Sequence, residues 1–119
     1  MGASFKDLLV WQRAVQLSLA TYKLTSTFPL SERFGLTNQL RRASVSVASN
    51  IAEGYGRSSK GEYLQFLGHA RGSNCELQTQ LVIAEGLGFG EAPSRRSAEG
   101  LSEEVSRMLV AIMNKLKEG

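Results

Sequence analysis

His69, Ser73, Glu76 and Gln80 fall at intervals of four, three and four, which on a helix places a histidine, a serine and a carboxylate along one face. A serine nucleophile served by a base is the chemistry such a set brings to mind. Its geometry argues otherwise, because the three side chains stack along a helix and no strained Gly-rich turn presents the serine. Hydrogen bonding between helices is the better reading, and no catalytic residue is assigned. His69 is the single histidine and Cys75 the single cysteine, so a His- or Cys-built metal site lacks ligands. The E-x-x-H pairs of carboxylate-bridged di-iron bundles are absent. Gly54-Tyr55-Gly56-Arg57 has neither the spacing nor the preceding strand of a phosphate-binding loop. Neither a metal nor a cofactor is expected. Cys75 is read as a reduced, buried small hydrophobe, and an internal disulfide is excluded.

The basic residues suggest a different chemistry. The formal charge is +3, yet residues 33–71 carry Arg33, Arg41, Arg42, Arg57, Lys60 and Arg71 against Glu53 and Glu62, a local net of +4 with −1 left for the rest. Arg41, Arg42, Arg57, Lys60 and Arg71 are therefore candidate phosphate contacts for RNA or DNA. Tyr55 is placed to stack on a base. The competing reading is ordinary solvated surface charge.

A third set concerns packing. Gln39, Arg42, Ser46, Asn50 and Glu53 recur every three or four residues and form a polar band beside an apolar stripe, where a neighbouring helix would lie. A carboxylate in the last helical turn opposes the dipole, so Glu53 needs a partner, and Asn50 with Glu53 is expected to bond the following turn or an adjacent subunit. Val45, Ala48 and Ala52 give the same helix a second, small-residue face. Gly68 and Gly72, four apart on the next helix, each cost about 1 kcal/mol against alanine unless close approach compensates. Together with Glu76 these residues point to contacts beyond one bundle, hence to a homo-oligomer whose partner is nucleic acid or another protein.

The elements that must hold these sets are all helical. Apolar residues recur at three and four throughout, with no sustained alternation, and the prolines, Pro29 and Pro93, sit at boundaries. The first helix is predicted over 7–27 with a core stripe of Leu8, Trp11, Val15, Leu19 and Tyr22. The second covers 36–53 with Leu36, Leu40, Ala43, Val47 and Ile51 inside, and Gly54 as a left-handed cap. The third opens at Ser59, paired with Glu62 in a capping box, and runs through Tyr63, Phe66, Ala70, Leu77, Leu81 and Ala84 to the glycines from Gly86 to Gly90. The last follows Pro93 with Leu101, Val105, Met108, Ile112 and Leu116. Short links between amphipathic helices predict an antiparallel up-down-up-down four-helix bundle, and 119 residues suit one domain spanning 1–119. At 42% hydrophobic and 21% charged the chain is apolar enough to fold. No apolar run is long enough for a membrane span and no secretory signal is visible, so a cytoplasmic location is expected.

An ordered set of residues carries a resemblance over nearly the whole chain: Phe5-Lys6-Asp7-Leu8, Val10-Trp11, Phe28-Pro29, Phe34-Gly35-Leu36, Gln39-Leu40-Arg41-Arg42-Ala43 and above all Asn50-Ile51-Ala52-Glu53-Gly54. It continues through Arg57-Ser58, Glu62, Phe66-Leu67, Gly72-Ser73 and Glu76-Leu77. The chain resembles the four-helix-bundle proteins found as reading frames within intervening sequences of bacterial large-subunit ribosomal RNA genes. That resemblance implies an antiparallel bundle forming a barrel-like homopentamer with no assigned enzymatic activity. The family is in turn similar to the accessory subunit of diversity-generating retroelements, a basic pentamer that binds nucleic acid and a reverse transcriptase.

Overall fold

The computed structural model describes residues 4–119. The first described element is one that apolar periodicity does not predict. Ser4 and Asp7 form a reciprocal capping box, the Ser4 Oγ accepting from the Lys6 N–H and the Asp7 carboxylate from the Ser4 N–H at 3.1 Å, around a single 3-10 turn, Phe5–Asp7. Asp7 thus caps this turn instead of opening the long helix. Four helices follow: α1 (Leu9–Thr25), α2 (Leu36–Tyr55), α3 (Lys60–Leu87) and α4 (Ala92–Glu118).

Each helix packs against two neighbours, in the order α1–α2–α3–α4–α1, and the backbones of diagonal pairs stay apart. The contacts show the directions. Thr25 meets Arg41 while Ser18 meets Ser44, and Gln39 meets Gln80 while Ser46 meets Ser73, so numbers rise along one helix as they fall along the next. The result is an all-α, antiparallel up-down-up-down bundle of about 45 × 24 × 22 Å. No helix among the described residues is long and apolar enough to cross a membrane.

One core fills the centre, built from Leu17, Leu40, Val47, Ile51, Leu67, Leu77, Leu81, Val105 and Leu109, all essentially inaccessible. The α2 stripe lies inside as its spacing predicts. The α1 stripe does not. Val10, Ala14, Leu17, Thr21 and Leu24 are buried instead, and the predicted residues Leu8, Trp11, Val15, Leu19 and Tyr22 are half-buried or exposed. The reason is local: Thr21 and Thr25 return their hydroxyls to the carbonyls of Leu17 and Thr21, both at 2.8 Å, and so enter the core with no unmet polar group. Counting threonine as polar selects the wrong face, because Trp11, Val15, Leu19 and Tyr22 offer a second apolar row beside the buried one.

Gly54 is likewise not a left-handed cap. It lies within α2, buried, and a Cβ there would come within 2.8 Å of the Phe66 Cβ and 3.2 Å of the Tyr63 ring, so its glycine lets α3 approach. Left-handed backbone occurs at Gly88 and Gly90, φ +74° and +81°, ending α3 and packing the chain against Leu24 and Phe28. Ser59 does cap α3, its Oγ accepting from the Glu62 N–H at 3.1 Å. The Glu62 carboxylate takes the serine hydroxyl at 3.2 Å, not the backbone N–H of a full box. Between α3 and α4 a buried pair fixes the register: Ser102 Oγ donates to Asn74 Oδ1 at 2.7 Å and Asn74 Nδ2 to the Ser102 carbonyl at 2.9 Å.

Candidate interaction surfaces

The polar band of α2 faces α3. Ser46 and Ser73 share a hydrogen bond of 2.9 Å, the Asn50 amide donates to the Ser46 carbonyl at 2.8 Å and to its hydroxyl at 2.9 Å, and Gln80 Nε2 reaches Gln39 Oε1 at 3.4 Å. The Gln80 Oε1 is buried without a hydrogen-bond partner among the described residues. Above this floor runs a groove of about 350 Å³ lined by Asn38, Gln39, Arg42, Ser46, Ser73 and Glu76. Ser73 is therefore engaged with Ser46, and the exposed His69 packs its ring edge-on against Phe66 at 5.6 Å, so the candidate nucleophile and base point to separate partners.

Glu53 finds its partner in the turn. Its carboxylate takes Arg57 Nη2 at 2.8 Å, and Arg57 also lies 3.9 Å from Glu62 with its guanidinium 4.6 Å from the centre of the Phe66 ring. Asn50 serves α2 itself and not the turn. Tyr55 is half-buried edge-on against Tyr63, 6.0 Å between ring centres, and burial chiefly, with Tyr55 adding, lifts the Tyr63 phenol above its ordinary range.

The five candidate phosphate contacts are not gathered on one patch. Arg57 is committed to two carboxylates, and its position lies about 20 Å along α2 from Arg42 at 1.5 Å per residue. Lys60 starts α3 and lines a different cleft, with Ile112, Lys115 and Leu116. Arg71, exposed, projects about 140° away from Glu76 around α3 at 100° per residue, on the side facing α4. Arg41 and Arg42 do meet, in a second groove of about 500 Å³ between α1 and α2 whose other walls are Tyr22, Asn38, Val45 and Ser46. Arg41 is fixed there: its Nε donates to Thr25 Oγ1 at 2.9 Å and its guanidinium lies 4.5 Å over the Tyr22 ring. Among the described residues neither Arg41 nor Arg42 forms an ion pair.

The packing candidates fall on two outward surfaces. Val45 is 43% exposed, and Ala48 and Ala52 are half-buried. Beside them runs the displaced α1 stripe, Leu8, Trp11 and Val15 half-buried and Leu19 67% exposed, a surface whose spacing predicts a place in the core. Gly68 and Gly72 lie on the outer side of α3, where an added Cβ would meet nothing within 4 Å. Gly61, Cys75, Thr79 and Gly86 share that side, all within about 60° at 100° per residue. Cys75 is thus exposed, not buried.

Comparison of the sequence with curated proteins returns no match. Among solved structures the bundle is similar to the crystal structure of a protein of unknown function from the S23 ribosomal protein family of Bacteroides thetaiotaomicron. The TM-score is 0.79 at 18% identity, covering 88% of this chain and 98% of that one, a likeness of fold. The profile of the 23S rRNA-intervening sequence proteins matches residues 6–111, and with that span of agreement the chain belongs to the 23S rRNA-intervening sequence protein family.

Proposed function

We propose that this chain is a non-catalytic subunit of a homo-oligomer. The observation that carries the proposal is the outward apolar stripe of α1, in which Leu8, Trp11, Val15 and Leu19 continue onto Val45, Ala48 and Ala52 of α2. Leu8, Trp11 and Ala48 also touch the core, and Trp11 meets Phe5, but a single copy leaves the rest of this surface, Leu19 and Val45 above all, in water, where each aliphatic side chain fully buried by a second copy would contribute about 1.5–3 kcal/mol. The glycine-rich outer side of α3 supports the same reading, since nothing within the chain repays its low helix propensity. A pentamer is the form the family resemblance suggests, and a cytoplasmic setting goes with it. Light scattering tests the proposal: a concentration-independent monomer of 13.0 kDa would end it.

A second reading adds nucleic acid, RNA or DNA, as the partner, in keeping with a family named for intervening sequences of 23S rRNA. It is favoured by Arg41 and Arg42, the two of the five candidates that share a groove without a neutralising carboxylate. The alternative is a structural or protein-binding ring with no nucleic-acid role. Alanine at Arg41 and Arg42 separates the two: loss of RNA retention with assembly intact supports nucleic acid, and loss of assembly supports the ring.

A further inference from the structure

We infer that the α1–α2 groove is a slot for one unpaired nucleotide, so that the preferred ligand is single-stranded nucleic acid and not a duplex. This inference rests on the nucleic-acid reading above. It comes from a division of labour between adjacent arginines. Arg41 is held in place, its Nε donating to Thr25 Oγ1 at 2.9 Å and its guanidinium carbon 4.5 Å from the centre of the Tyr22 ring. Thr25 is itself held, donating to the Thr21 carbonyl at 2.8 Å, so the stack is built from the core outward. Guanidinium planes and aromatic rings are the surfaces on which unstacked bases settle. Arg42 is the opposite case, exposed and without an ion pair among the described residues, a charge free to meet a phosphate.

The groove they line has room for such a unit. Its volume is about 500 Å³, and Asn38 supplies an amide for a base edge. A phosphate contact alone would hold a duplex as well as a single strand. A stacking platform set into a groove rewards only a base that has left its stack, and that asymmetry sets the expected preference.

The test uses the whole protein with a labelled, unstructured oligonucleotide and with the same sequence as a duplex, by fluorescence anisotropy at low ionic strength. The parent is expected to hold the single strand more tightly. Tyr22→Ala should weaken single-strand binding about 5- to 150-fold, the range for loss of one stacked base, with the duplex unaffected. Arg41→Lys keeps the charge and removes the plane, and it should act in the same direction should Tyr22→Ala disturb assembly. Arg42→Gln should weaken both ligands and flatten the salt dependence. Equal affinity for the two forms, or an unchanged single-strand affinity in Arg41→Lys, overturns the slot and leaves the nucleic-acid reading standing. Absence of binding to either form removes both.

Discussion

The two sides of α2 solve the same problem differently. Toward α3 its polar residues are closed within the chain, Ser46 on Ser73 and Asn50 on Ser46, with Gly54 admitting the Phe66 Cβ and the Tyr63 carbonyl closely. Toward α1 two polar contacts cross, Arg41 on Thr25 and Ser18 with Ser44 at 3.2 Å, and the outer residues are apolar, with Leu19 and Val45 open to water. Polar side chains beside a core are costly unless paired, so the chain pairs them itself. Apolar side chains beyond a core can wait for a second molecule. The difference locates surplus stickiness on α1 and the adjoining edge of α2, whereas the polar band reads as internal register.

The sharpest way to break this contrast is to charge the open side. Val15→Asp with Leu19→Asp should leave the helical content intact, because neither side chain is part of the core. Each subunit contact should weaken by about 3 kcal/mol or more, from the burial lost by two aliphatic side chains. Light scattering would then show a monomer where the parent shows an assembly. A double variant that keeps the parent's mass would assign the α1 stripe no role in assembly.

On the closed side the expected effect is smaller and falls on folding. Gly54→Ala introduces a Cβ that would sit 2.8 Å from the Phe66 Cβ and 3.3 Å from the Tyr63 carbonyl oxygen, atoms that no rotamer change can move. Overpacking of this kind costs about 1–3 kcal/mol. Thermal unfolding at fixed protein concentration should show that loss, since oligomer stability also depends on concentration. An unchanged midpoint would mean that α3 can back away and that the close approach is not required.

How far this was legible in the residues follows from the same contrast. The α2 core face, the Ser59 cap and the antiparallel bundle were readable because aliphatic periodicity and local capping chemistry carry them. The α1 face was not, because Thr21 and Thr25 bury themselves by back-bonding and the helix offers apolar residues on both sides. Gly54 misled for a related reason: a glycine near a helix end signals a cap equally well as a close approach, and only the position of Phe66 decides. Of the basic candidates, sequence distance alone could not show that Arg57 is spent on Glu53 and Glu62 while Arg41 and Arg42 share a groove. The Ser4–Asp7 box had a signal, a serine three residues before an aspartate, that lay just outside the apolar run.

The outer side of α3 sharpens the comparison through the sign of an effect. Gly72→Ala meets no atom within 4 Å in the single chain, so in the monomeric Val15→Asp, Leu19→Asp background it should stabilise by about 1 kcal/mol. In the parent, should a second copy use this side, the same methyl group would crowd the contact and lower the assembled fraction. A rise in midpoint in both backgrounds, with the mass of the parent unchanged, would leave α3 outside the interface.

The smallest expected effect belongs to Glu53 and Arg57. Their 2.8 Å pair is 54% and 40% exposed, and exposed pairs four apart on a helix are worth about 0.3–0.5 kcal/mol. The pair also sits at the negative end of α2, where the carboxylate alone is unfavourable. Removing Arg57 should therefore cost more than removing Glu53, since Arg57→Ala strands the carboxylate and loses the contact with Phe66. A double-mutant cycle on urea midpoints measures both terms. A cost of Glu53→Ala more than about 1 kcal/mol above the coupling would exceed what the pair supplies and would place Glu53 in a contact that the single chain does not contain.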